Sequence, residues 1–200
     1  VYSALGPTHH STEDLGGLRS LPGLTILCPA SPLEVKKATV AAYKHIGPMY
    51  LRLGTNKETE IYSRDYEFEI GKGIVLREGN DITLIGTGSI LKDILDVAEL
   101  LSKDGIRASV INMHTLKPID EGIILQAIEE TGKIVTIEDH NIIGGLGSAV
   151  AEVIAESGKG ASFKRLGLKD FSKGYGIYKQ VKETNGIGIE QIGNEIRKMC

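Results

Sequence analysis

Tryptophan is absent from these 200 residues, phenylalanine occurs three times and cysteine twice. Cys28 and Cys200 are too few and too far apart for a disulfide framework or a zinc site. Cys28 falls inside an apolar run and is expected to be a buried thiol, which fits a reducing cytoplasm. No apolar stretch approaches the length of a membrane span, and the N-terminus lacks the charged-then-apolar layout of a signal peptide. Neither charge sign dominates: 23 basic against 26 acidic residues leave a net charge of −3. No basic face therefore recommends nucleic acid as a partner. Internal repeats and low-complexity tracts are missing too. With 41% hydrophobic residues and a mean hydropathy of −0.04, what remains is an ordinary globular composition, long enough for one large domain or two small ones.

The most informative stretch is Gly6-Pro7-Thr8-His9-His10-Ser11-Thr12-Glu13-Asp14. Gly-Pro makes a rigid turn, because proline fixes φ and keeps its predecessor out of the helical region. Ser11 or Thr12 can cap a helix that Glu13 and Asp14 open at its positive end. Two imidazoles held between a stiff turn and a helix start are oriented groups, suited to proton transfer, metal binding or substrate polarisation. Two solvated histidines on a surface loop are the plain alternative.

Downstream, Leu15–Leu21 has helical apolar spacing and Leu24–Cys28 is a strand-length apolar run. A helix follows, capped by Ser31, with Pro32 at its first position, to about His45. Met49–Leu53 is a second strand, so a parallel β-α-β unit is expected. Residues 54–67 lose all periodicity and read as an extended linker.

Ile74–Leu76 and Ile82–Ile85 flank a turn at Glu78–Asp81 and predict an antiparallel hairpin. Helices are then expected to about Lys103 and over Asp120–Glu130, Ser148–Glu156 and Ile189–Met199. Strands are expected over Arg107–Met113, Ile134–Ile137 and Phe163–Leu168. The alternation predicts an α/β three-layer sandwich, mostly parallel with one antiparallel edge.

Arg52 stands out, since a guanidinium within MYLRL is costly to bury without an anionic partner. Its fork suits a phosphate or carboxylate, and an ion pair between domains is the structural alternative. The glycine clusters Gly86-Thr87-Gly88-Ser89 and Gly144-Gly145-Leu146-Gly147 lack the full spacing of a phosphate-binding motif. Close packing or subunit contact explains both better. Glu138-Asp139-His140 has residue types suited to metal or acid/base chemistry. His45, His114 and His140 are expected to be structural or surface residues.

GPTHHSTEDLGGLRSLPGL, LTILCPASPLEVKKA, HIGPMYLRLG and VTIEDHNIIGGLGSAVAEVIAE together resemble the transketolase family of thiamine diphosphate enzymes. The resemblance covers essentially the whole chain. It implies the second half of a parallel-sheet pyrimidine-binding domain over residues 1–54, a linker over 55–67 and a transketolase C-terminal-like three-layer α/β/α domain over 68–200. It implies transfer of two-carbon ketol units between sugar phosphates. His9 takes the catalytic and cofactor-facing role, with His10 and Arg52 binding substrate and Arg52 meeting its phosphate. Thiamine diphosphate and Mg2+ would be held mostly by parts not in this chain, since neither the activating glutamate nor a GDG-type motif is found. No metal ligand is assigned here.

The start at Val1, without methionine and straight into the motif loop, is expected to reflect a fragment that is inactive alone. It would work with an N-terminal transketolase subunit or domain, in a homodimer or heterotetramer. Where many members carry Glu-Asp before the motif, this chain has Ala4-Leu5; Leu5 replaces an aspartate that meets a donor hydroxyl. The alternatives are 1-deoxyxylulose-5-phosphate synthase, a 2-oxo-acid dehydrogenase β subunit and a non-catalytic dimerisation or docking module. The glutamate–aspartate–histidine run matches a family segment away from the cofactor.

Overall fold

The computed structural model describes residues 3–54 and 58–200. The expected linker residues Thr55–Lys57 lie outside the described residues. A short helix α1 (Asp14–Arg19) follows the motif loop and leads to strand β1 (Thr25–Leu27). Helix α2 (Pro32–Lys44) has Pro32 in its first turn, and Ser31 Oγ accepts the Glu34 N–H at 3.4 Å. It returns the chain to β2 (Met49–Leu51), which pairs parallel to β1 in register Thr25 to Met49. This is the β-α-β unit its sequence predicts. Arg52 stands one residue beyond the strand, with its N–H still on Leu27 O at 2.8 Å.

The described part of the linker is no free tether. Glu34, fully buried on α2, accepts from Tyr62 Oη at 2.7 Å, Tyr66 Oη at 2.9 Å, the Ala30 N–H at 2.6 Å and Asn112 Nδ2 at 2.8 Å. One carboxylate thus straps two tyrosines of the connecting segment onto the helix. Such side-chain bonds leave no periodicity in the sequence, so the stretch carries no local sign of its attachment.

The second half contains β3 (Ile74–Arg77), β4 (Ile82–Gly86), α3 (Leu91–Lys103), β5 (Ala108–Asn112), β6 (Thr115–Lys117), α4 (Glu121–Thr131) and β7 (Lys133–Asn141). It continues through α5 (Leu146–Glu156), β8 (Ser162–Leu168), α6 (Tyr178–Thr184) and α7 (Ile189–Arg197). The main sheet has order β3-β5-β4-β7-β8, with only β3 antiparallel to its neighbour. The antiparallel edge is therefore as expected, but the hairpin is not. β3 pairs with β5 and not with β4. The Asp81 N–H reaches Arg107 O at 3.1 Å, and its carboxylate accepts the Arg107 N–H at 2.7 Å. These bonds fix the start of β4 beside β5, so β5 lies between the two strands expected to pair.

Alternation along the buried strands splits the core into two layers. Ile82, Leu84, Val110 and Val135 pack with the apolar faces of α3 and α7. Ile85, Ile111 and Ile134 pack with α4, α5, Leu15 and Ile26 on the other side. The second layer carries the small sheet β2-β1-β6, in which β6 pairs antiparallel with β1. A strand of the second half thus completes the sheet of the first, and the two halves share one core. No helix among the described residues is long and apolar enough to cross a membrane.

Candidate functional site

The motif loop begins with a 3-10 turn over Pro7–His9, closed by the His9 N–H on Gly6 O at 3.0 Å and the His10 N–H on Pro7 O at 3.2 Å. Gly6 has φ of +76°, a conformation costly for other residues, so the Gly-Pro pair sets the turn as its sequence implies. The consequence is that adjacent histidines meet different surroundings. His9 is exposed, with Nδ1 3.0 Å from Thr8 Oγ1. His10 is part-buried, and its Nε2 is shielded from solvent with no hydrogen-bond partner among the described residues. Burial lowers the His10 pKa, outweighing the pull of the Asp139 carboxylate, so its ring is neutral.

Behind the loop lies a buried polar cluster. Arg52 Nε donates to Asp14 Oδ2 at 3.0 Å, and its Nη2 donates to Ser11 O at 2.6 Å and to Asp139 O at 3.0 Å. Tyr50 Oη adds a bond to Asp14 Oδ2 at 2.8 Å. Burial opposes the charge on Arg52, but the Asp139 and Asp14 carboxylates outweigh it and keep the guanidinium ionised. For Asp14, burial is likewise overcome by Arg52 and Tyr50, which hold its carboxyl below the usual range. Arg52 therefore finds an anionic partner inside the chain, and its fork is turned inward. Of its three guanidinium nitrogens, Nη1 makes no bond among the described residues, and Arg52 lines a cavity of about 90 Å³ with Ser11, Tyr50, Leu53, Gly54, Gly88 and Ser89.

The acid–acid–histidine run of β7 is buried at the contact between the two halves. The Glu138 carboxylate accepts the N–H groups of Leu146 at 2.7 Å and Gly147 at 2.9 Å, capping α5. Burial pushes its pKa up to about 7 although both bonds pull the other way. His140 Nδ1 lies 2.7 Å from Asn141 O and Nε2 accepts the Gly16 N–H at 3.3 Å. A carbonyl only accepts, so the proton is on Nδ1, and burial keeps the ring neutral. Asp139 Oδ2 accepts from Tyr178 Oη at 2.7 Å.

The glycine cluster serves packing, as its incomplete spacing implies. A Cβ at Gly145 would meet Glu138 Oε2 at 2.0 Å, and one at Gly144 would meet Gly16 Cα at 2.7 Å. Cys28 is fully buried, with its thiol pushed up to about 12 by burial.

The structure thus places His10 within electrostatic reach of Arg52 and Asp139 and leaves His9 exposed on the same turn. Sequence reasoning missed Asp14, Asp139 and Tyr178 as members of the site. Asp14 was legible only as a helix-opening acid, and nothing local marks Tyr178, 126 positions after Arg52 (178 − 52). Among the described residues no group of histidines, cysteines and acids is arranged as a metal site.

The family model described as "Transketolase, C-terminal domain" matches residues 71–192, and "Transketolase, pyrimidine binding domain" matches residues 2–58. An apulose-4-phosphate transketolase subunit of Actinobacillus succinogenes is 38% identical over 96% of this chain and 62% of its own length. 1-Deoxy-D-xylulose-5-phosphate synthase 1 of Geobacter sulfurreducens is 40% identical over 91% of this chain and 29% of its own. A solved structure described as "Split gene transketolase, inactive beta4 tetramer" superposes with a TM-score of 0.88 and 34% identity, over 96% of this chain and 62% of that one. This chain therefore spans 62% of the length of each of the two transketolase relatives just described. On two family models that together span both halves, this chain belongs to the transketolase family.

Proposed function

We propose that the chain supplies the substrate-facing part of a thiamine diphosphate enzyme that transfers two-carbon ketol units between sugar phosphates. The observation that carries this reading is the pairing on one stiff turn of an exposed imidazole, His9, with a neutral one, His10, whose buried Nε2 lacks a partner among the described residues. An orphaned buried nitrogen is costly unless a ligand or partner group completes it. In this reading the cofactor, or the substrate beside it, is the group that does so, in keeping with the family relationship. Bound thiamine diphosphate supplies the electron sink for cleaving the carbon–carbon bond beside a carbonyl.

The chain's own residues orient and handle protons. His9 Nε2 donates to or accepts from a substrate oxygen, its ring steadied by Thr8. His10 fixes a neutral hydrogen-bonding edge. Arg52 keeps the loop in place through Ser11 and offers Nη1 to a substrate phosphate in the adjoining cavity. The residues that hold the diphosphate would come from an N-terminal transketolase section, in a homodimer or heterotetramer. Magnesium has no fitting ligand set among the described residues, and no step runs through it.

The relatives named as subunits support a divided enzyme. The test combines this chain with such a section, the cofactor and magnesium, and measures ketol transfer from a ketose phosphate to an aldose phosphate. Activity in the mixture and none in either part is the expected result. No transfer from a stably assembled complex, for any ketose phosphate tried, would overturn the reading.

A further inference from the structure

The motif loop is held largely from outside itself, by the second half of the chain. Its own backbone supplies the two bonds of the 3-10 turn. Three further contacts come from residues 139–178. Gly174 and Tyr175 pack on Gly6, where an added Cβ would lie 3.7 Å from Tyr175 Cβ. The Asn141 N–H donates to Thr12 O at 2.8 Å. The Asp139 carbonyl shares Arg52 Nη2 with Ser11 O, at 3.0 and 2.6 Å.

The Asp139 end of that last contact is itself fastened. Its side chain is buried and receives the Tyr178 hydroxyl at 2.7 Å. Tyr178 opens α6, and the Lys182 ammonium lies 4.2 Å from the centroid of its ring. Lys182, buried too, pairs with Asp93 in the first turn of α3. A continuous line of polar contacts therefore runs from α3 through α6 and β7 to Arg52, and from Arg52 to Ser11, the residue after His10.

We propose that Asp139 and Tyr178 are positioning residues, through which the C-terminal domain sets the conformation of the loop that carries His9 and His10. The inference rests on the reading of that loop as substrate-facing. Its physical content is that a loop of small polar residues has no core of its own to order it. The share of time it spends in the competent conformation depends on the contacts that reach it, and turnover scales with that share. Asp139 acts twice, through a main-chain carbonyl on Nη2 and through a carboxylate charge that stabilises the Arg52 guanidinium. The Tyr178 hydroxyl keeps that carboxylate in place. On this view the C-terminal domain is more than a docking module.

Tyr178→Phe removes one hydroxyl, and Asp139→Asn removes the charge while leaving the carbonyl. Both are made in the assembled enzyme, and amide hydrogen exchange is followed beside steady-state kinetics. Exchange at His9 and His10 is expected to rise about tenfold or more, on the scale of one lost hydrogen bond to a charged group. Exchange in β4 and β5 is expected to stay unchanged. kcat falls by about tenfold, while KM for thiamine diphosphate stays within about twofold. Unaltered loop protection in both variants overturns the proposal, and so does an equal rise throughout the central strands, which would mean general destabilisation. A loosened loop with normal turnover leaves the positioning intact and removes the substrate-facing reading, so the two ideas fail separately.

Discussion

His9 and His10 are adjacent in sequence and opposite in surroundings, and their roles should separate accordingly. His9 is exposed, and in the proposed function it is the ring that meets a substrate oxygen. A positioned acid or base contributes roughly 10²–10⁴-fold to rate. In the complete enzyme His9→Ala should therefore lower kcat within that range with little change in cofactor affinity. Unchanged turnover would return His9 to the surface loop. Arg52 is more entangled, because its Nε and Nη2 are committed to Asp14, Ser11 and Asp139. Arg52→Lys retains the charge but cannot reproduce three bonds from one planar group. Because those bonds also hold the loop, it should lower kcat for phosphorylated and unphosphorylated sugars alike, and in addition raise KM for the phosphorylated ones alone by roughly tenfold, consistent with about 1.4 kcal/mol of lost contact. An equal change in KM for both substrate classes would show that Nη1 reads no phosphate and that the residue is only an internal clip.

At the scale of elements, α1 packs closely against the loop before α5. Gly16 and Gly144 meet backbone to backbone, and Gly145 leaves room for the carboxylate that caps α5. Gly145→Ala would drive a methyl into Glu138, displacing a buried carboxylate from two N–H groups. Losing charge-assisted bonds of this kind costs about 1.5–3 kcal/mol each. The variant should lose several degrees in Tm, read by calorimetry, whereas an alanine at Gly160, with open space around it, should lose almost nothing. Much of this level was legible beforehand. Pro32 in the first turn of α2, Ser31 as its cap and the apolar run of β1 placed the β-α-β unit from local chemistry alone. Local chemistry could not place β5 between β3 and β4, because that depends on Asp81 meeting Arg107 across the sheet.

For the whole molecule, the shared core ties stability to pH through Glu138. Its folded pKa of about 7 lies above the ordinary glutamate value of 4.5. The folded state therefore binds more protons than the unfolded state between those values, and stability falls as pH rises through the window. The contribution is fully present below about 4.5 and is lost as pH passes about 7, on the order of 3 kcal/mol in all. Melting curves of this chain and of Glu138→Gln from pH 5 to 8 should diverge, with the parent losing stability relative to the variant. Parallel curves would show that Glu138 is ionised throughout. Because β6 completes the first sheet, the chain should also unfold in one transition, with no separate melting of residues 3–54. Two resolved calorimetric transitions would contradict the shared core.

The sequence by itself determined what depends on neighbours along the chain. Residue spacing set the alternating strands and helices, Gly6-Pro7 set the stiff turn, and the combination of motifs carried the family. It also marked Arg52 as a guanidinium in need of an anion. Which anion it found was decided only by the tertiary structure, as were the pairing of β3, the placement of β6 beside β1, and the burial of Glu138, Asp139 and His140. The reason is physical: each depends on groups far apart in sequence competing for the same buried space. A side chain's charge and size are written locally, but the partner that satisfies it is chosen when distant segments exclude water together.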